Sequence, residues 1–350
     1  MNFSMFHIDT SLHYATVHLH ITISLVLFME VIRMWKYIDK DKSNEFLLSL
    51  NLLEGSLIDK NKIIKLYSIS NNIEKNYKVY KIKKSNDKYR TIYEPTYNLK
   101  YIQRQILNNI LSNRSISKYA KAYKKGVSLK DNAIEHINKK ILLKLDIKHF
   151  FDNITFTDIY NTCFGIEYFP KNIGMLLTYL CTYYDYLPQG APTSAYISNL
   201  VMYDFDNIIG SFCEENNISY TRYSDDMTFS GDFNPSIVIK KVNEELKKLS
   251  LELNYDKVKI IKNNRLQSVT GLVVNNKLQV SKTVRKKIRQ EVYYINKYGI
   301  NSHLNKINYK DKEKYLNSLY GKILYVLQIN NKDLEFVEYK KTIRKLINTL

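Results

Sequence analysis

Cysteine is scarce in this sequence of 350 residues. The three thiols, Cys163, Cys181 and Cys213, lie far apart and show no Cys-x-x-Cys spacing. This pattern argues against a disulfide framework and against a cysteine-based zinc site. We therefore expect buried free thiols and a cytoplasmic location.

A long apolar run is also missing. The strongest run, Ile21 to Met29, is shorter than the roughly 20 residues that a membrane span needs. No small-residue cleavage site follows it, which argues against a signal peptide. We expect residues 1–35 to be an N-terminal extension of unclear role and expect no stable membrane association. A membrane-anchored effector that uses this run is an alternative.

Glycine and proline are rare, with 10 and 5 residues, whereas tyrosine occurs 30 times. A hydrophobic content of 45% and an aromatic content of 13% exclude general disorder. Asn, Lys and Ile are abundant, which indicates a compositional bias of the genome. Because this bias raises the lysine count, the net charge alone is weak evidence of function.

Acidic residues are outnumbered, with 34 Asp and Glu against 53 Lys and Arg and a net charge of +19. Such an excess favours a polyanionic partner. The excess is uneven, because residues 281–350 hold 16 basic residues and 6 acidic ones. This pattern predicts a C-terminal module that grips nucleic acid.

Hydrophobic periodicity predicts a mixture of strands and helices. The predicted helices cover residues 36–72, 99–111, 193–213 and 235–251 and the chain beyond 282. The predicted strands lie within 76–94 around a turn at 85–87, at 141–145, in a hairpin at 220–229, and around 258–261 and 269–274. Interspersed strands and helices followed by a helical tail indicate the α+β class.

Asp225 and Asp226 stand side by side in the segment TRYSDDMTFS. The alternating apolar residues around them predict a β-hairpin with the acids near its bend. Two adjacent carboxylates repel each other, and a hard divalent cation would relieve that repulsion. An ordinary surface turn is the alternative.

A third carboxylate, Asp146, directly follows the apolar segment 141–145. An aspartate at a strand end is more often a turn or helix-capping residue. Together with Asp225 and Asp226, however, it supplies what two-metal phosphoryl transfer needs. Between them, Gln189-Gly190 in LPQGAPTSAYISN predicts either close backbone approach to a ligand or a tight turn.

The order of these motifs resembles that of reverse transcriptases. The series consists of Asp146, Phe151, Pro188-Gln189-Gly190 and Tyr223-Ser224-Asp225-Asp226. Further similar segments are Arg90 in YRTIYEP, Gln103-Arg104, and Leu253-Asn254 with Lys257. Two segments resemble signatures of retron reverse transcriptases, namely Asn132-Ala133 with His136 and Val269-Thr270-Gly271. The resemblance covers about residues 40 to 350.

The resemblance implies a role for each matching residue. Asp146, Asp225 and Asp226 would be catalytic and would hold two Mg²⁺ ions, with Asp226 the assisting ligand. The residues implied to bind the dNTP are Arg90, Ile147, Phe151, Gln189, Gly190 and Lys257. The residues implied to contact RNA or primer are Asn132, His136, Val269, Thr270 and Gly271.

Several of these residues also have a structural explanation. Phe151 is either the steric gate against a ribose 2′-hydroxyl or a core side chain beside Phe150. Lys257 and Arg90 would otherwise be solvated surface residues. His136 would otherwise be a packing residue, and residues 269–271 an ordinary strand with a glycine bulge.

Four positions depart from the usual family pattern. Ser224 stands in place of Ala, Ala195 in place of Pro, and Val258 in place of Thr. His149 stands where an acidic or amide residue is frequent. None of these departures removes a metal ligand.

The resemblance implies a right-hand polymerase with a palm antiparallel sheet and a basic helical thumb. Fingers and palm would span residues 36–280, with the fingers at 73–140 and 160–187, and the thumb 281–350. A retron enzyme would copy a cognate structured non-coding RNA into a branched RNA–DNA product, in antiphage defence with an effector protein. The alternatives are a group II intron-like or abortive-infection reverse transcriptase, or a non-catalytic RNA-binding scaffold.

Overall fold

The computed structural model describes Trp35 and residues 38–55, 58–83 and 89–349. Apart from Trp35, the predicted N-terminal extension lies outside the described residues, and so does the predicted turn at 85–87. The chain forms two compact units. The first holds the described residues up to Ile116 and His149–Tyr203, and the second holds Ser117–Lys148 and the described residues from Asp204 onward.

The helices and strands are named here in chain order. The α-helices are α1 (Lys40–Ser49), α2 (Asp59–Asn71), α3 (Tyr97–Asn109), α4 (Leu129–Ala133), α5 (Phe156–Ile159), α6 (Lys171–Cys181), α7 (Ser194–Val201), α8 (Tyr203–Glu215), α9 (Pro235–Lys248), α10 (Lys282–Tyr298), α11 (Ile300–Lys306), α12 (Lys312–Ile329) and α13 (Leu334–Asn348). The strands are β1 (Tyr77–Lys83), β2 (Tyr89–Pro95), β3 (Ile141–Asp146), β4 (Ser219–Tyr223), β5 (Asp226–Gly231), β6 (Lys259–Lys262), β7 (Ser268–Val269), β8 (Leu272–Val273) and β9 (Gln279–Val280). Among the described residues, no helix has the length and hydropathy needed to cross a lipid bilayer.

Two predicted helices are interrupted in the structure. The region 36–72 contains α1 and α2 rather than one helix, because α1 is followed by Asn51 in left-handed backbone, at φ +52°. The region 193–213 contains α7 and α8, which Met202 separates. Hydrophobic periodicity does not record backbone conformation, so it predicted neither break.

The first unit packs α3 beneath the strand pair β1–β2. The helix buries Leu99, Ile102 and Ile106 at three- and four-residue spacing, as its amphipathic pattern predicts. The buried Gln103 Nε2 donates to Tyr77 Oη at 2.7 Å and to the Leu180 carbonyl at 2.8 Å. Gln103 is therefore a structural link between β1 and α6.

The second unit is built on a four-stranded antiparallel sheet of order β4-β5-β3-β6. The predicted hairpin at 220–229 and the strand at 141–145 are both present. The central strand β3 has four apolar residues out of six and buries Leu142, Leu143 and Leu145. Its last residue, Asp146, stands opposite Asp226 of β5.

The C-terminal helices share one core with the three-stranded sheet β7-β8-β9. The buried side chains of this core include Val269, Leu272, Ile288, Val292, Leu316, Leu319, Ile323, Phe336 and Ile343. On the helix surface, Arg289 pairs with Glu335 through both carboxylate oxygens, at 2.5 and 2.6 Å. The predicted basic helices thus pack as one body with the small sheet that precedes them.

His136 lies against the polar face of the hairpin β4–β5. Its side chain has no solvent exposure, and its Nδ1 and Nε2 hydrogen-bond Ser230 Oγ at 2.7 Å and Thr221 Oγ1 at 2.8 Å. Both ring nitrogens are therefore engaged within the protein. In this arrangement His136 has a packing role, and its contact with RNA stays a prediction.

The ring of Tyr119 packs so closely against α8 that we expect no side chain to fit at position 210. A Cβ added to Gly210 would lie 2.0 Å from Tyr119 Cε2, whereas Gly321 in α12 has nothing within 4 Å of such an atom. Gly210→Ala should lower the free energy of unfolding by about 1–3 kcal/mol through overpacking. Gly321→Ala, the matched control, should raise it by about 0.5–1 kcal/mol. Urea unfolding checks both values, and equal effects would contradict the packing account.

We also expect His136 to make stability depend on pH. Burial, and then the charges of Lys139 and Lys121, lower the pKa of His136 from 6.5 to about 3. Between these values the unfolded chain binds a proton that the folded chain does not. The stability that His136 contributes is therefore complete above pH 6.5 and is lost as the pH falls towards 3, by roughly 1.4 kcal/mol per pH unit.

The test is urea unfolding of the wild type and of His136→Gln between about pH 7.5 and 5. The variant should be less stable at neutral pH but should lose less stability on acidification. Parallel pH profiles of the two proteins would show that the imidazole is not held neutral.

Candidate active site

Three aspartates meet at one end of the four-stranded sheet. Asp146 and Asp226 are opposite each other in the β3–β5 pairing, and Asp225 occupies the two-residue turn between β4 and β5. The Ile147 N–H donates to the Asp225 carbonyl at 3.1 Å, and the Asn254 N–H donates to the Asp146 carbonyl at 2.8 Å. Backbone pairing thus brings the three predicted catalytic residues together.

Lys257 supplies the nearest positive charge. It is the last residue of a short 3₁₀ turn, Tyr255–Lys257, and its Nζ lies 2.7 Å from Asp146 Oδ2. Asn254 Nδ2 donates to the other oxygen, Oδ1, at 3.3 Å. The pKa of Lys257 is raised. Burial alone would lower it, but the interaction with Asp146, and then the charges of Asp225 and Asp226, outweigh the effect of burial. The ammonium therefore stays protonated beside the carboxylates.

Asp226 experiences the repulsion within this group. Burial is the first cause that raises its pKa, and the charge of Asp225 is the next. Asp146 adds to the effect, while Lys144 and Lys257 oppose it. The cluster therefore carries negative charge that a cation would stabilise.

The carboxylates fit a hard divalent cation by their chemistry. Oxygen ligands suit Mg²⁺, which keeps water and phosphate as its remaining ligands. Among the described residues, however, no three acidic, histidine or cysteine side chains converge tightly enough to enclose a metal ion. Instead, one oxygen of Asp146 is paired with Lys257. Metal binding would therefore require the side chains of this cluster to rearrange.

Ile147 lies directly beyond Asp146 but is buried. Its backbone bridges to Leu253, and its side chain is 1% exposed. Its N–H is occupied by the Asp225 carbonyl. The side chain of Ile147 belongs to the core, and the nucleotide contact that the resemblance implies for this residue stays a prediction.

The Gln189-Gly190 segment lies in the first unit and packs against β2. The Tyr93 N–H donates to the Gln189 carbonyl at 2.8 Å. Gly190 has φ +121°, and an added Cβ would lie 2.7 Å from the Tyr93 carbonyl oxygen. The contact with β2 is by itself sufficient to require glycine at this position. Arg90 is exposed on the same strand, three residues before Tyr93.

Phe150 and Phe151 have separate positions in the first unit. Phe150 is 3% exposed and belongs to the core, whereas Phe151 is half-buried. Their rings meet edge to face at 5.4 Å between centroids. Phe150 therefore fills the core position, and part of the Phe151 ring stays accessible.

The two retron-like segments contact each other in the second unit. Asn132 Nδ2 donates to Thr270 Oγ1 at 3.4 Å. Thr270 and Gly271 form the two-residue turn of the hairpin β7–β8, with φ of +46° and +83°. Positive φ at both positions is typical of a type I′ turn. The segment is therefore a hairpin turn and not the glycine bulge considered as its alternative.

Only part of this pair of segments is accessible. Asn132 and Val269 are buried, at 1% and 0% exposure, whereas Gly271 is exposed and Thr270 half-buried. The side chains of Asn132 and Val269 are enclosed by the protein in this arrangement, and their contact with RNA or primer stays a prediction. The turn itself remains available for such a contact.

The sequence patterns did not indicate the buried ion pair between Arg222 and Asp206. The one available signal is the position of Arg222. This charged residue lies on the same face of the hairpin as the apolar or aromatic residues Tyr220, Met227 and Phe229. Its partner stands 16 residues earlier on α8, so no local spacing reveals it.

Comparison with known proteins places these features in a family. The family model described as "Reverse transcriptase (RNA-dependent DNA polymerase)" matches residues 82–316. The chain is 31% identical to the retron Ec86 reverse transcriptase of Escherichia coli over 226 residues, which cover 63% of this chain and 70% of that protein. It is 35% identical to the retron Ec83 reverse transcriptase of Escherichia coli over 246 residues, 62% of this chain and 75% of the relative.

A third relative comes from another organism. The retron Mx65 reverse transcriptase of Myxococcus xanthus is 27% identical over 300 residues, 78% of this chain and 66% of the relative. The family matches confirm the predicted α+β class and right-hand polymerase fold. This chain belongs to the reverse transcriptase family, as a retron-type RNA-directed DNA polymerase.

Proposed function

We propose that this enzyme copies a cognate structured non-coding RNA into a branched RNA–DNA product by two-metal nucleotidyl transfer. The observation that carries the proposal is the pairing of Asp146 with Asp226 across β3 and β5, with Asp225 in the adjoining turn. The identity to retron enzymes of two organisms supports the choice of product.

Asp146 and Asp225 are the principal ligands for two Mg²⁺ ions in this proposal, and Asp226 assists. Bound Mg²⁺ would lower the pKa of the attacking hydroxyl and neutralise charge on the leaving pyrophosphate. Lys257, which pairs with Asp146 in the structure, would direct its ammonium to the phosphates once a metal ion took its place beside that carboxylate. A protonated lysine at this place can stabilise or protonate the leaving group.

Four of the proposed dNTP contacts lie in the first unit. Arg90 is exposed on β2 and offers a guanidinium to the triphosphate. Gln189 and Gly190 pack on the same strand and present the backbone to the nucleotide. Phe151 supplies the accessible ring that excludes a ribose 2′-hydroxyl. Ile147, which follows Asp146 in the second unit, is a further proposed nucleotide contact.

RNA and primer are held by the second unit. The exposed turn Thr270-Gly271 contacts the nucleic acid, and Asn132 fixes that turn through Thr270. The basic thumb, residues 281–350, grips the RNA through phosphates and shape, because A-form grooves leave little else to read. Fingers and palm occupy residues 36–280 in this division.

The similarity to retron enzymes also supports a proposal about the biological setting. We infer an effector protein as a partner and a role in antiphage defence. Three buried free cysteines support a reducing, cytoplasmic setting.

Asp225→Asn should abolish DNA synthesis, by at least about 10³-fold, because it removes a metal-binding charge. RNA binding, measured by filter retention, should stay near the wild-type value. Asp232→Asn is the matched control, since Asp232 lies just beyond the other end of β5 and pairs with the exposed Lys140. Synthesis by Asp225→Asn at the level of this control would remove the metal-site assignment.

Phe151→Ala should weaken discrimination between dNTP and rNTP by about 10-fold or more, because a methyl group no longer meets the 2′-hydroxyl. The measurement is the ratio of kcat/KM for a dNTP and the matching rNTP. Phe156→Ala is the control, because Phe156 packs on Tyr179 in the same unit. An unchanged ratio in Phe151→Ala would assign the sugar gate to another residue.

A further inference from the structure

A fully buried ion pair lies beneath the hairpin that carries Asp225. Arg222 Nε donates to Asp206 Oδ1 at 2.8 Å, and Nη2 donates to Oδ2 at 2.6 Å. Both side chains have 0% exposure. Such a pair costs desolvation that its own attraction often does not repay, so it is weak evidence for a purely stabilising role. Its two-point geometry does, however, fix the plane of the guanidinium.

The same guanidinium has a third donor directed at the turn. Arg222 Nη1 donates to the Ser224 carbonyl at 2.9 Å. The peptide bond that contains this carbonyl joins Ser224 to Asp225. The orientation of the Asp225 backbone is thereby tied to a guanidinium that Asp206 holds in place.

Ser224 needs this support because its backbone conformation is unfavourable. Its φ is +63°, a left-handed value that non-glycine residues rarely adopt. Residues in such conformations persist only where their surroundings enforce them. Tyr123 Oη adds a second contact by donating to Ser224 Oγ at 3.3 Å, and the Ile147 N–H holds the Asp225 carbonyl at 3.1 Å.

We propose that Arg222, oriented by Asp206, is a positioning residue that holds the Ser224-Asp225 turn so that the Asp225 carboxylate faces Asp146. The inference rests on the proposed metal-binding role of Asp225. It adds that the geometry of the carboxylates depends on a cation below the turn that touches neither nucleotide nor metal. The alternative role of the pair is packing of α8 onto β4, where Tyr220 Oη also donates to Asp206 Oδ1 at 2.9 Å.

The principal test is Arg222→Lys. Lysine keeps the charge, but a single nitrogen cannot span both Asp206 oxygens and the Ser224 carbonyl in the fixed fork of arginine. We expect kcat to fall at least about 10-fold while KM for dNTP changes by less than about 3-fold. The Mg²⁺ concentration for half-maximal activity should rise several-fold because Asp225 is less well placed.

A second measurement is independent of activity. Amide hydrogen exchange of the peptide covering residues 219–231 should accelerate in Arg222→Lys without metal or substrate, whereas the peptide covering α12 should not change. Arg114→Lys is the matched control, because Arg114 also donates to backbone carbonyls, those of Thr162 and Cys163, in the other unit. It should alter neither the Mg²⁺ dependence nor exchange at 219–231.

A rescue variant separates positioning from general stability. Glycine adopts positive φ without strain, so Ser224→Gly should restore part of the kcat and the Mg²⁺ response in the Arg222→Lys background. If Arg222→Lys does not fold, Asp206→Glu takes its place. It keeps both charges but moves the carboxylate by one methylene, and it should shift the Mg²⁺ response in the same direction.

The outcomes distinguish the positioning role of Arg222 from the metal-binding role of Asp225. If Arg222→Lys lowers only the melting temperature and leaves the Mg²⁺ response and exchange at 219–231 unchanged, the pair is structural and the inference is overturned. If Asp225→Asn remains active, the metal-site assignment fails instead. Loss of activity in Asp225→Asn together with a shifted Mg²⁺ response in Arg222→Lys supports both.

Discussion

The register between β3 and β5 is the constraint on which the rest of this site depends. Pairing of Asp146 with Asp226 places like charges at one end of the sheet, where strand β3 is apolar apart from Lys144 and Asp146. A shift of one residue would turn Asp226 to the opposite face and break the cluster. The repulsion that results is opposed by cations of the chain itself, with Lys257 on Asp146 and Lys144 near Asp226. The fold thus tolerates the carboxylates before any ligand binds.

The hairpin β4–β5 is held on both faces by different chemistry. On one face Tyr220 stacks on Phe229 at 4.8 Å, and Arg222 is fixed by Asp206. On the other face His136 engages Thr221 and Ser230 and remains neutral because it is buried. The buried side chains of Arg222, Thr221 and Ser230 therefore each have a specific partner. A short strand pair held in this way can keep an unfavourable turn at its tip.

Local patterns in the sequence predicted the elements but not the contacts between them. Alternation around 220–229 and the amphipathic spacing of 99–106 depend on neighbouring residues, so the hairpin and α3 were predictable. The partners of His136 stand 85 and 94 residues away, and no spacing encodes them. The same reason explains why Gly190 was predicted to approach a ligand although it contacts Tyr93. For the aspartates, motif order and strand pairing lead to the same cluster.

The two retron-like segments contain buried residues that hold other elements in place and an exposed turn. His136 and Asn132 are buried and fix, respectively, the hairpin below the aspartates and the turn at Thr270. Thr270 is β-branched and adopts φ +46°, an unfavourable conformation that needs neighbours to maintain it. Nothing lies within 4 Å of the position where a Gly271 side chain would begin, so the tip of this turn is open. A turn that is costly to form and exposed at its tip is suited to present backbone to a ligand, while the buried residues of both segments maintain it.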